Sequence, residues 1–310
     1  MAGRRAVGGS AVKVVYARIQ KTAMEACEGA GLSGALVEHF LRTGEQTWVG
    51  SGSGQFTRAQ FHNDSAYRDA TKAAIRGLFA SLAELIPDEV RAGSQVAAET
   101  IRSRIEPMVT GLLPKGWREV ALREITARLF ILNFPGAQTA LEAELSTCDL
   151  GGAWRVLWLM FEDYGLKPDS ITVDCDGMAS DYAHVRWSAF EPKDPFTDVV
   201  VHEAAHMLHY LKPANFDLAV GRGQERFLDV QFQHRELFAY SCEAYSCVVV
   251  RGDRRARISF AETIHEAAVS FPAKELEEAA PLVLKAAQAR NGWKVIREAV
   301  IHPRNGRSSG

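Results

Sequence analysis

Cysteine is scarce and unpatterned in this chain. There are five, Cys27, Cys148, Cys175, Cys242 and Cys247, odd in number and with no C-x-x-C among them. That excludes a disulfide-stapled scaffold and matches the usage of a reducing compartment, where cysteine serves as a small buried residue. Cys242 and Cys247 are five apart, an awkward spacing for a shared metal. Net charge is equally scarce: 36 Lys and Arg against 38 Asp and Glu leave −2. No overall basic field points to nucleic acid or to an anionic membrane surface, and neither is an expected partner. No apolar run approaches the roughly 20 residues of a membrane span. The stretch behind Arg4-Arg5 is too short and too polar for a signal-peptide core. A cytoplasmic location is therefore the expectation, with export by a route lacking a cleavable signal as the alternative.

What is present is an ordinary globular balance, 47% hydrophobic and 24% charged over 310 residues, enough for one large or two ordinary domains. Residues 1–50 read as a polar tail and a helix over 11–43, and Ser51-Gly52-Ser53-Gly54 as a flexible joint. Residues 55–148 read as a helical region, with helices over 65–86, 88–106 and 116–132 and a short one after Asn133-Phe134-Pro135-Gly136. The texture changes near Gly151-Gly152. A strongly apolar helix over 154–164 is followed by a β-branched stretch at 171–175, a turn around Asp176-Gly177 and an alternating stretch at 184–190. Strands between helices give residues 150–301 an α+β plan, and 302–310 read as a disordered tail.

The chemistry gathers in one stretch, Val199-Val200-Val201-His202-Glu203-Ala204-Ala205-His206-Met207-Leu208-His209-Tyr210-Leu211. Its flanks predict a helix: Asp194 and Thr197 offer caps, Pro195 suits a first turn, and Pro213 ends the run. On a helix His202 and His206 stand at i and i+4 on one face, where both imidazoles reach one tetrahedral ion. Glu203 between them faces a water activated by that ion. The blander reading, a buried helix whose histidines are satisfied by carboxylates or carbonyls, gives way if a third ligand exists.

A second long helix is expected over about 235–250, and it carries Glu236 and Glu243, seven residues apart on one face. H-E-x-x-H, a loop of a few tens of residues, then Glu236-Leu-Phe-Ala239 as E-x-x-A resembles the gluzincin branch of zinc metallopeptidases. The resemblance covers roughly residues 150–250. It implies a zincin-like catalytic domain with one Zn2+ on His202, His206 and Glu236, Glu203 as general base, and a protein or peptide substrate. Glu243 is the competing third ligand, or a partner that orients a histidine. The metzincin branch is out, because it requires glycine at 209 and histidine at 212, where this chain has His209 and Lys212. Gluzincins also use a histidine or tyrosine to stabilise the tetrahedral oxyanion. His234, Tyr240, Tyr245 and His265 are the candidates for that role, and His209 reads as a helix-end residue.

Two rival readings compete. Glu162, Glu203-x-x-His206, Glu236 or Glu243, and Glu262-x-x-His265 follow the order of di-iron carboxylate bundles, which serve as oxidases or iron stores. The strands expected between 171 and 190 break the four-helix plan, and His202 would have no role. The other rival is a zincin fold kept as a non-catalytic binding module, against which the intact Glu203 argues.

Overall fold

The structure, a computed structural model, describes residues 86–147, 150–164, 175–191, 194–270 and 274–301, with scattered positions of a helical stretch between 69 and 83. The N-terminal tail, the helix expected at 11–43, the glycine-serine joint and all but Cys175 of the β-branched stretch at 171–175 lie outside the described residues. Among the described residues, eleven α-helices and three strands follow from residue 88. They are α1 (Asp88–Arg91), α2 (Ala98–Leu112), α3 (Lys115–Arg128), β1 (Leu129–Leu132), α4 (Phe134–Thr147), α5 (Leu150–Asp163), β2 (Gly177–Ala179), β3 (Ala183–Arg186), α6 (Trp187–Phe190), α7 (Val199–Tyr210), α8 (Arg235–Val249), α9 (Arg254–Ser270), α10 (Lys274–Gln288) and α11 (Gly292–Val300). Mostly helical with one small sheet, this is an α+β arrangement. Among the described residues no helix is long and apolar enough to cross a membrane.

The chain divides into two compact units that interleave in sequence, one of residues 1–95 and 132–175 and one of 96–131 and 176–310. The helices expected over 88–132 are thus shared out, and α2 and α3 pack with the half that carries the H-E-x-x-H helix. In the first unit Asn133 starts α4: its Oδ1 accepts from the Gly136 N–H at 3.0 Å while its Nδ2 donates to the Ser94 carbonyl at 2.8 Å. With that cap, and Pro135 in the first turn where its missing N–H is no loss, α4 runs for 14 residues where a short helix was expected.

In the second unit the expected helix over 116–132 stops at Arg128, and Leu129-Phe130-Ile131-Leu132 becomes a wholly buried strand. A short apolar run reads the same to either structure from sequence; burial on both faces decides for strand. The sheet order is β1-β3-β2, and β2 pairs antiparallel with β3 with Gly177 opposite Val185 and Ala179 opposite Ala183. The strand expected over 184–190 ends at Arg186, because the chain turns there into the single helical turn α6. Arg104 of α2 fixes that turn, donating to the Phe190 carbonyl at 2.9 Å and lying 5.0 Å from the centre of its ring.

α7 forms the centre of this unit, packed by α2, α8, β2 and β3. Its N-cap is Asp198, whose Oδ1 accepts from the Val201 N–H at 3.2 Å, one residue beyond the expected Thr197. Arg104 grips the same carboxylate with two bonds of 2.8 and 3.1 Å, so α2 anchors the start of α7. At the other end the Leu208 and Leu211 carbonyls accept from the Leu228 and Phe227 N–H groups, and Arg226 donates to the His209 carbonyl at 2.6 Å. Val200, Val201, Ala204, Ala205, Met207 and Leu208 are fully buried, as are Phe238, Ala239 and Val248 of α8. At roughly 1.5–3 kcal/mol per large side chain, this burial outweighs an exposed helix's marginal stability and holds both helices in one register.

Candidate metal centre

α7 and α8 bring His202, His206 and Glu236 together, and this is the group among the described His, Cys, Asp and Glu residues with metal-ligand spacing. The two Nε2 atoms stand 3.1 Å apart. Glu236 Oε2 lies 3.5 Å from His206 Nε2 and 3.8 Å from His202 Nε2. Ligand atoms about 2.0–2.1 Å from a tetrahedral zinc ion stand about 3.3 Å from one another, so this triangle is close to one face of that shell. The histidine side chains are about nine-tenths buried while that of Glu236 is 60% exposed, which leaves an open side to the group.

The hydrogen bonds behind the histidines decide which nitrogen faces the ion. His202 Nδ1 lies 3.0 Å from Glu243 Oε2, and a carboxylate only accepts, so the His202 proton resides on Nδ1 and its Nε2 lone pair is free. Glu243 Oε1 in turn accepts from the Asp198 N–H at 2.9 Å. A chain of contacts from Arg104 through Asp198 and Glu243 thus sets the orientation of His202. His206 Nδ1 faces His209 Nε2 at 3.0 Å. If His206 Nε2 is to ligate, His206 donates from Nδ1 and neutral His209 accepts, a role usually filled by a carboxylate or carbonyl. Burial, with the nearby charges of His206 and Arg235, pushes the His209 pKa down to about 3, so His209 is neutral at ordinary pH.

Electrostatics separate the remaining roles. Burial lowers the His202 pKa, but the hydrogen bond it donates to Glu243 and the charges of Glu243, Glu203 and Glu236 together outweigh it, and the net direction is upward. For His206 burial wins and the pKa falls. The hydrogen bond to His206 holds the Glu236 carboxyl below its usual value. Glu203 is the odd member: 4% exposed, with Oε2 buried and unpartnered. Burial pushes its carboxyl up to about 8, opposed by His202 and reinforced by Glu236 and Glu243. A buried carboxyl without a partner costs stability and adds none to the fold, which makes Glu203 a candidate for chemistry.

Gly177 makes room for that carboxyl. A Cβ at Gly177 would stand 2.5 Å from Glu203 Oε1 and 2.7 Å from its Cγ. Gly177→Ala should therefore fold and displace the Glu203 carboxylate. If the group holds a metal and Glu203 acts as base, misplacement on the order of 1 Å costs up to about 10²-fold in rate, so turnover should fall by about ten- to a hundredfold with the metal retained. Metal analysis beside an activity assay checks this; unchanged turnover would mean that the glycine serves the strand and not the carboxylate.

The four oxyanion candidates separate. The Tyr240 ring stands edge-on to His202 with 4.6 Å between centroids. His234 is the N-cap of α8, with Nδ1 buried and unpartnered. Tyr245 is 6% exposed, packs edge-on against Trp293 at 4.7 Å and bonds the Gly292 backbone, which makes it a packing residue. His265 lies on α9, and its side chain is outside the described residues. Of the carboxylates in the di-iron pattern, Glu162 belongs to the first unit and Glu262 is exposed on α9. Asp198, Arg104, Gly177 and His209 were not singled out as site residues from sequence. For His209 the signal was there, since i+3 from His206 puts it on the same face.

No family model matches the chain, and neither the curated proteins nor the solved structures hold a match.

Proposed function

We propose that this chain is a zinc-dependent peptidase of the gluzincin type, with a zincin-like arrangement of α7, α8 and the small sheet. The observation that carries the reading is the pairing of a metal-sized triangle of Nε2, Nε2 and Oε2 atoms with a buried, unpartnered carboxyl at Glu203. The donor set, two neutral imidazoles and one carboxylate with an open side, suits zinc in a catalytic rather than a structural role. His202, His206 and Glu236 hold the ion, and Glu243 orients His202 without ligating. Bound there, zinc supplies Lewis acidity, polarising a carbonyl and lowering the pKa of water towards about 7.

The chain's own part is proton handling and positioning. Glu203 takes the proton from the attacking water and delivers it to the leaving nitrogen, so the peptide C–N bond breaks without releasing a free amide anion. Its high pKa belongs to the metal-free protein; a dication beside it favours the ionised form that this role needs. Glu243 and His209 keep the two imidazoles aimed, and Gly177 keeps the Glu203 carboxylate aimed. The test is cleavage of a mixed peptide library by zinc-loaded protein. Cleavage that stops with a chelator and returns with zinc supports the reading. Zinc-loaded protein that binds peptides but cuts none favours the binding module.

A further inference from the structure

Beside the metal group sits an arginine with no hydrogen-bond or ion-pair partner among the described residues. Arg235 is the first residue of α8, immediately before Glu236. Its guanidinium carbon lies 5.1 Å from the centre of the Phe232 ring and 5.6 Å from that of Tyr210. Tyr210 is the last residue of α7, next to His209, and Phe232 is 81% exposed. The cation is thus set between the end of one metal-bearing helix and the start of the other. Its Nε is buried without a hydrogen-bond partner, and no carboxylate among the described residues pairs with it. Arg104 and Arg226 of the same unit behave differently, the first gripping Asp198 and the second the His209 carbonyl. The Arg235 charge acts on both His206 and His209, so it stands within electrostatic reach of the metal group.

Two aromatic rings restrict where the guanidinium plane lies and leave its N–H edges unused. A guanidinium so restricted presents parallel donors that match the two oxygens of a carboxylate, at little further cost in side-chain entropy. An unpaired cation beside a cationic metal is electrostatically unfavourable in itself, and a bound anion removes the conflict. We propose that Arg235 is a specificity-determining residue that binds a carboxylate of the substrate, an acidic side chain beside the scissile bond or the free C-terminus. The inference rests on the zinc-peptidase reading and adds to it a substrate class, acidic peptides or peptides cut close to their C-terminal end.

Three probes test it, each with a hydroxamate at one end to grip zinc, joined to a dipeptide. One is neutral, with a Gln side chain and an amidated end; one has Glu in place of Gln; one has Gln and a free carboxylate end. Affinities for zinc-loaded protein are measured by calorimetry, with zinc content checked for every variant. At least one acidic probe should bind about tenfold tighter than the neutral one, the size expected of a charge-assisted pair. Which acidic probe does so identifies the source of the carboxylate. In Arg235→Gln that ratio should fall to near one with zinc still bound, and Arg235→Lys should keep only part of it. Equal binding of all three probes by the wild type, or an acidic advantage that survives Arg235→Gln, overturns the inference and leaves the zinc reading standing. Failure of all three to bind contradicts the zinc reading and takes the inference with it.

Discussion

Glu203→Gln is expected to abolish most peptide hydrolysis while leaving zinc content and folding nearly unchanged. The side chain is buried, its Oε2 has no partner, and it is not one of the three clustered ligand atoms. Glutamine has the same shape and removes only the ability to take a proton, so the loss isolates that one step. A positioned acid–base group contributes about 10²–10⁴-fold, and kcat should fall by that factor. The neutral amide also removes a carboxyl whose folded pKa lies well above its ordinary value. Such a group favours the folded state at low pH and disfavours it as pH rises from about 4.5 towards about 8. In metal-free protein the variant should therefore gain stability relative to wild type over that window, as read by thermal melts at pH 5 and pH 8. Loss of zinc in Glu203→Gln would show instead that Glu203 ligates, as the di-iron arrangement requires.

The second large effect separates Glu236, the ligand that the E-x-x-A resemblance implies, from its competitor Glu243. Glu236→Ala should lose zinc and activity together, because its Oε2 completes the triangle with both Nε2 atoms. Glu243→Ala should weaken zinc by about 10–100-fold without abolishing it, the usual cost of removing a carboxylate that orients a ligating histidine. It should also loosen the start of α7, since the Asp198 N–H loses its acceptor. Zinc titrations of both variants decide between the assignments. If only Glu243→Ala loses the metal, the ligand lies two turns further along α8.

The geometry of the candidate centre was legible where the side-chain period of a helix is the whole argument. His202 and His206 share a face because they are four apart, and no tertiary information is needed for that. Spacing alone does not separate Glu236 from Glu243, because residues seven apart point the same way; the docking of α8 on α7 sets Glu236 against the two Nε2 atoms and Glu243 against His202 Nδ1. The same docking decides that Tyr245 packs on Trp293 while Tyr240 meets His202. His209, one turn beyond His206, does lie in the last turn of α7, but the sequence does not show that it is fully buried behind His206. Gly177 reads from sequence as a turn residue, since nothing local reveals that the side chain it must clear belongs to residue 203. In the fold, Leu129–Leu132 and α4 differ from the sequence expectation for a related reason. A four-residue apolar run is strand or helix according to what covers it, and the Asn133 cap depends on a carbonyl at Ser94 that lies far away in sequence.

Metal stoichiometry on the purified protein reads out directly whether His202, His206 and Glu236 hold one zinc ion. About one zinc per chain is expected, lost in His202→Ala, His206→Ala and Glu236→Ala and retained in Glu203→Gln. Two irons per chain, or one zinc that survives all three ligand substitutions, would contradict it.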